Sequence, residues 1–416
     1  MRRFIPLSLV IVTVALILTL SACRSGGSNS VEQRQNQPLR IGYLSETAFD
    51  QRYANLLSRE FPGLRFEIVP LMPLVQNRIS LDEWDEQNKV DLIYVPGFLF
   101  EPMIDHGMLQ NLDAFLADDD SFTLDAFLPS TIRLSELYGQ GSLYGIVPSF
   151  YSSAIAYNRS IFGQSGVSIP EAHFAWEDLL LLAQRFERGL TVIAPSPFHW
   201  IWEIGRTHQL KIIDEQTNQL LFRQPAWKKI WELATESLRE GHVRLESENE
   251  FAFLSGDWAM AVLSYEQYKK LERSSPPFEW SLTSMPTDPA NPGQSPYFVA
   301  DGFWAIYRNA DQPQAAWEVL KFFLSENTAK WEYRSNYGFS SLKSVVSTLQ
   351  TEQERLAAFY EVEPVPLRND IIPDSLPELA DSVITEILEN GLSVEEGILQ
   401  LDKLASESRI TALPSQ

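Results

Sequence analysis

The chain has 416 residues, of which 44% are hydrophobic and 12% aromatic, with 11 tryptophans, so it can bury a sizeable core and is no disordered segment. A net charge of −22 excludes the basic footprint of a nucleic-acid binder and serves solubility. One cysteine, Cys23, excludes an intrachain disulfide, and the histidines His106, His173, His199, His208 and His242 contain no i, i+4 pair of a zinc site.

The N-terminus begins Met1-Arg2-Arg3, runs apolar from Phe4 to Leu20, and ends Ser21-Ala22-Cys23. Positive residues, an apolar stretch and small residues before a cut site are the anatomy of a secretory signal. With the cysteine after them, they resemble the lipobox of bacterial lipoproteins, which implies a lipid on Cys23. A plain transmembrane anchor is the alternative, and either reading puts the body outside the cytoplasmic membrane. Arg24 to Gln37 is a polar Gly/Ser/Gln tether with a reach of about 20 Å.

Leu39, Ile41 and Tyr43 alternate as a strand, and Tyr53, Leu56, Leu57 and Phe61 recur at helical spacing until Pro62-Gly63. Leu64, Phe66 and Ile68 alternate again, and Val90 to Val95 reads as a buried parallel strand ending at Pro96-Gly97. The order is that of an α/β fold, in which ligands bind beyond the carboxyl ends of strands. Leu143 to Pro148 reads as a short strand, Ala154 to Tyr157 as another, and Trp176 to Phe186 as a helix. Leu220 to Phe222 reads as a strand, Ala226 to Leu238 as a helix, and the Pro-rich stretch Ser275 to Pro296 as irregular. Phe303 to Tyr307 is a strand, followed by a helix from Pro313. Leu379, Val383, Ile384 and Ile387 stripe one C-terminal helix, and Ser393-x-x-Glu396 caps a second.

Leu143 to Pro170 contains Tyr144-Gly145, Pro148, Tyr157-Asn158, Ile161-Phe162 and Gly166-Val167 before Pro170. Trp176-Glu177-Asp178-Leu179, then Phe253 to Met260, then Gly302 to Ile306 with Ala315-Ala316-Trp317, then Gly391 to Glu396 follow in order. Together these resemble family 1 extracellular solute-binding proteins of bacterial ABC importers, whose best-known member binds maltose. The resemblance implies an α/β, two-lobed Venus-flytrap fold of type II, each lobe a sheet flanked by helices, with hinge crossings. It implies residues 1–22 as signal peptide and 23–37 as lipidated tether. Lobe one would be 38–148 with 285–333, and lobe two 149–284 with 334–416.

The function so implied is capture of a small solute in the cleft and delivery to permease subunits in the membrane, by a lipid-anchored monomer without cofactor, metal or catalysis. Sugars need flat aromatic platforms and planar polar groups. The cleft candidates are Ser45, Glu46, Tyr94, Gly97, Phe98, Phe150, Tyr151, Phe198, His199, Trp200, Trp202, Tyr265, Glu266, Asp301, Gly302, Phe303, Asn336 and Tyr337. Trp200 and Trp202 are read as cleft residues on a specificity loop. Few basic candidates point to a neutral saccharide. The segment from Phe186 to Phe198 is short for the family, and Tyr265-Glu266 stands where relatives carry a tryptophan, so a maltodextrin is not implied. Asp118-Asp119-Asp120 lacks the ligand spacing of a calcium loop and reads as a helix-end or solvated acid run. A sensor feeding a membrane kinase and a surface glycan hydrolase using paired carboxylates are the alternatives.

Overall fold

Leu39, Ile41 and Tyr43 are buried on one strand, as their alternation predicts. The computed structural model describes residues 37–169, 173–214, 216–348, 353–365 and 372–408. The signal segment, Cys23, the tether as far as residue 36, Pro170 and the last eight residues lie outside that set. Backbone packing divides the chain into a smaller unit, reaching to Leu92 with Asn309–Ala316, and a larger one, Ile93–Arg308 with Trp317 onward.

In the smaller unit, Leu39–Tyr43 pairs in parallel with Phe66–Pro70, Leu39 opposite Phe66. Between them the helix Glu46–Phe49 passes through a π-helical turn, Asp50–Ala54, into Asn55–Glu60. Phe49 and Tyr53 meet Tyr43 edge-on at 5.4 and 5.8 Å, which fixes the helix on the strand pair. Asp91 accepts from the backbone N–H of Arg40 at 3.0 Å and of Gln312 at 2.8 Å, tying the late segment to the early strand.

The larger unit is built on a five-stranded sheet in the order Val243–Glu246, Leu190–Ile193, Met260–Leu263, Ala154–Asn158, Trp280–Ser284. The first three strands are mutually parallel, while Ala154–Asn158 runs antiparallel to both of its neighbours. Helices Trp176–Ala183, Pro197–Thr207, Pro225–Arg239 and Leu376–Glu389 supply one continuous apolar core, with Trp176, Trp200, Trp227 and Trp231 inside it. Pro197 and Pro225 open their helices where a missing N–H costs nothing. Ser393 and Glu396 form the expected capping box of Val394–Glu407, which packs on Leu376–Glu389.

Three expectations fail. Leu143 to Pro148 is no strand: its one β-bridge among the described residues is at Ile146, which exchanges both backbone bonds with Trp304 at 3.0 Å, and Pro148 has no N–H to give. The strand begins one residue later, Ser149–Tyr151. Leu220 to Phe222 makes a single bridge to Ile213, because Phe222 turns inward to meet Trp227 and Trp231 edge-on at 5.1 and 5.5 Å. Ser275 to Pro296 is not irregular throughout. Its prolines flank Trp280–Ser284, a β-prone run that pairs along the whole of Ala154–Asn158. Asp119 stands at the end of helix Asp113–Asp118, the helix-end reading of the acid run: Lys321 and Trp317 donate to it at 2.6 and 2.9 Å and help hold its carboxyl far below the usual range.

Candidate functional site

Ser149–Tyr151 is the middle strand of a short antiparallel sheet with Val299–Ala300 on one side and Phe339–Ser340 on the other. Phe150 pairs with both Ala300 and Phe339. Its ring stacks on Phe298 at 4.4 Å and tilts on Phe339 at 5.5 Å. The approach of the third strand depends on Gly338, whose φ is +95° and whose Cβ, if present, would meet the Phe150 carbonyl oxygen at 2.8 Å.

Polar groups gather on this sheet. The Tyr94 hydroxyl donates to Asp301 Oδ2 at 2.5 Å, Ser149 Oγ donates to the same oxygen at 3.5 Å, and the Asp301 N–H donates to the Ser149 carbonyl at 3.1 Å. Gly302 lies against the Tyr94 ring, and Gly97 faces the Ala300 carbonyl. Phe98, in the first turn of helix Gly97–Asp105, is 49% exposed, unusual for so large an apolar side chain. Tyr151 meets Tyr265 edge-on at 5.9 Å, and Tyr265 donates to the Tyr333 carbonyl at 3.4 Å. Burial, then the neighbouring tyrosines and glutamates, pushes the Tyr265 phenol well up, so it stays a donor. Glu266 accepts from Ser264 Oγ at 2.9 Å. Asn336, in the left-handed region at φ +63°, accepts from Arg273 at 3.0 Å, and Tyr337 stacks on Trp331.

The structure therefore brings Tyr94, Gly97, Phe98, Phe150, Tyr151, Tyr265, Asp301 and Gly302 around one short sheet. It does not leave them all available. Tyr94, Phe150 and Tyr265 are buried, and Phe303 is fully buried, stacked on Phe100 at 3.8 Å and 3°. Ser45 and Glu46 belong to the smaller unit, where Ser45 Oγ caps the helix that Glu46 opens by accepting from Ala48 N–H at 3.1 Å.

The tryptophan cluster lies elsewhere. Phe198, His199, Trp200 and Trp202 sit on the helix Pro197–Thr207, not on a loop. The loop expected for Trp200 and Trp202 is thus a helix, and Phe198 and Trp200 face the core at 0% and 1% exposure, so the cleft expectation is corrected for both: their spacing puts them on the inward side of that helix. His199 and Trp202 occupy the half-buried side. His199 Nδ1 is 2.8 Å from Ser196 Oγ, and Arg206 lies 5.0 Å over the Trp202 ring. Glu203 receives Arg206 at 2.8 Å, yet burial outweighs that pair and raises its carboxyl above the usual range. Asp381 accepts from the Phe198 N–H at 2.8 Å.

At the carboxyl ends of Leu190–Ile193 and Val243–Glu246 is a depression of about 700 Å³, lined by Ala194 to Pro197, Leu238, Leu245 to Glu248 and Leu388. Its position is that of ligand sites in open α/β sheets. A separate depression of about 1120 Å³ lies between helix Pro129–Tyr138 and segments 343–347 and 360–364. Among the described residues no cluster of His, Cys, Asp or Glu is arranged to hold a metal ion.

A sequence model of the bacterial extracellular solute-binding protein family matches residues 85–330, more than half of the chain. The chain belongs to that family. Among solved structures, this solute-binding protein is similar to a family 1 extracellular solute-binding protein from Alicyclobacillus acidocaldarius, with 15% identity and a TM-score of 0.66 over 90% of this chain and 99% of that one. It is similar to the sugar-binding protein MalE of Xanthomonas citri, at 14% identity and a TM-score of 0.63, with 90% and 99% covered. A cyclo/maltodextrin-binding protein complexed with maltotetraose follows at 15% identity and a TM-score of 0.57, with 92% and 99% covered. The fold is thus the two-lobed, α/β fold of these binding proteins, and the family works outside the cytoplasm.

Sequence reasoning missed Ser149, Phe298, Tyr333 and Phe339 in this solute-binding protein. A three-residue strand leaves almost no periodic signal, and Tyr333 reaches the site only because a helix ends there. The spacing Tyr265 to Lys269, one helical turn, was the one readable clue to a shared contact face.

Proposed function

We propose that this protein is the substrate-binding lipoprotein of an ABC importer and captures a neutral saccharide between two lobes, delivering it to a membrane permease. Lobe one takes residues 38–148 with 285–333, and lobe two 149–284 with 334–416. The short sheet around Ser149–Tyr151 joins them as the hinge. Lipid on Cys23 holds the receptor beside its importer, with a second acyl chain needed for a stable hold.

The observation that carries the reading is the hydroxyl- and carboxylate-rich aromatic floor at this sheet, with exposed Phe98 beside it. A sugar presents an apolar C–H face and a rim of hydroxyls. Phe98 and Tyr151 supply apolar faces, and Asp301, Glu266 and Asn336 supply planar polar groups. Two neighbours are described as sugar-binding or as holding maltotetraose, which supports the saccharide class. Ligand contacts from both lobes drive closure.

The test is a thermal-shift and calorimetric screen over maltotetraose, shorter sugars, polyols, amino acids and phosphoesters. The expected result is a raised transition with one or more sugars, and about tenfold weaker binding of that sugar by Phe98→Ala. Stabilisation by anions alone overturns the saccharide reading, and chemical turnover of a sugar overturns the binding-protein reading.

A further inference from the structure

We propose that helix Tyr265–Ser274 latches onto the end of helix Glu326–Arg334, and that this latch biases the resting balance between the open and closed arrangements of the two lobes. It rests on the lobe assignment above: Lys269 lies in lobe two, and Tyr333 is the last residue of the outer segment of lobe one.

Lys269 Nζ donates to the Tyr333 hydroxyl at 2.9 Å and stands 4.4 Å from the centre of the Tyr333 ring. Glu272, one turn on, receives the same ammonium at 2.6 Å. The side chain of Lys269 is only 12% exposed. An ammonium withdrawn from water to that degree gains from a carboxylate and an aromatic face together. Tyr265, one turn before Lys269, donates to the Tyr333 backbone carbonyl, so two residues of one helix face grip a single residue of the other. Tyr265, Tyr268 and Leu271 bury the rest of that face, and Tyr265 and Tyr268 pack on Phe339 at 4.7 and 5.8 Å. The grip is therefore seated on the hinge strand itself.

The hinge cannot fix the lobe angle unaided. Its flanking strands pair over two residues each. A side-chain contact beside so short a ladder, present in one arrangement and broken in another, shifts the equilibrium by its own free energy. A ligand then works with or against that bias, and the apparent affinity moves with it.

The test compares the wild-type chain with Lys269→Met and Tyr333→Phe. Spin labels at Glu101→Cys and Glu236→Cys, both exposed helix positions, report the lobe separation by pulsed electron resonance in the ligand-free, detergent-solubilised full chain carrying Cys23→Ser. The expected result is a shift of about 2 Å or more, or a clear broadening, in both variants, with maltotetraose affinity changed about threefold to tenfold. A shift towards the shorter distance should accompany tighter binding, and a shift towards the longer distance weaker binding. Tyr333→Phe removes one oxygen and decides the matter if Lys269→Met fails to fold. Superimposable distance distributions in folded variants overturn the latch. Failure of the wild type to bind any sugar overturns the saccharide reading and leaves the ligand-free distances decisive for the latch.

Discussion

In the core beside the five-stranded sheet, Trp176, Trp200, Trp227 and Trp231 are almost without exposure, while at the three short crossing strands the large side chains are tyrosines and phenylalanines. Most indole nitrogens in the core do little joining. Among the described residues Trp200 and Trp231 find no hydrogen-bond partner and Trp227 reaches the Lys211 carbonyl, while Trp176 alone of the four meets hydroxyls, those of Thr207 and Tyr297 at 3.2 and 2.9 Å. At the crossing, hydroxyls carry the connections: Tyr94 to Asp301, Tyr265 to the Tyr333 carbonyl, and Tyr333 itself from Lys269. The same aromatic abundance is volume in one place and joinery in the other. Bulk fills space and resists change, whereas a hydroxyl joint breaks and reforms at small cost.

The strongest way to break this contrast is Trp200→Ala. If the ring is filler, its loss should destabilise the fold by about 3–5 kcal/mol in urea denaturation, with ligand affinity of the folded fraction unchanged. A stable variant with lost affinity would return Trp200 to the binding site. Next is Gly205→Ala on the same helix. A methyl there would stand 2.0 Å from the Trp227 ring, so overpacking should cost about 1–3 kcal/mol, read as a lower urea midpoint at constant slope.

At the crossing, Tyr94→Phe keeps the ring and removes one joint. Stability should fall by about 1–2 kcal/mol, and calorimetry should show weaker ligand binding as Asp301 loses its orientation. A purely structural Tyr94 would change the first and not the second. The smallest effect is set by pH. The His208 ring, its Nε2 3.3 Å from the carboxylate, is the first cause that pulls the Glu177 carboxyl down to about 2, from the usual 4.5, with Lys229 adding to it. A depressed carboxyl stabilises the fold above its unfolded value, and that contribution is lost as pH falls from about 4.5 towards 2. Unfolding free energies from urea titrations through this window should drop by on the order of 1 kcal/mol more in wild type than in Glu177→Gln.

Much of the fold was legible because its signals are local. The helix at Ala226 to Leu238 has an inward stripe of tryptophan and isoleucine, and Ser393-x-x-Glu396 states a helix start outright. The strand Trp280–Ser284 was hidden by the prolines around it, since breakers mark where an element ends and not whether one lies between. The site was legible in residue type and less so in exposure. Trp200 and Trp202 read as loop residues because prolines bound their segment, although proline is welcome in a helix's first turn. Phe303 and Tyr94 stand at strand ends as read, but burial there depends on Phe100 and Asp301, distant in sequence. Tyr333 and Phe339 carry no periodic mark at all; only the folded chain brings them to Tyr265.

The crossing sheet also dictates when the molecule can be finished. Phe150 pairs with Ala300 and with Phe339, so its strand stays without either neighbour until the last third of the chain has been made. Pairings across such long sequence separations form late, because loop closure must precede any reward. A growing chain that emerges amino end first therefore carries its five-stranded sheet, complete by Ser284, before its joint. The joint of this solute-binding protein is therefore the last part to close, once the residues around Phe339 have been delivered.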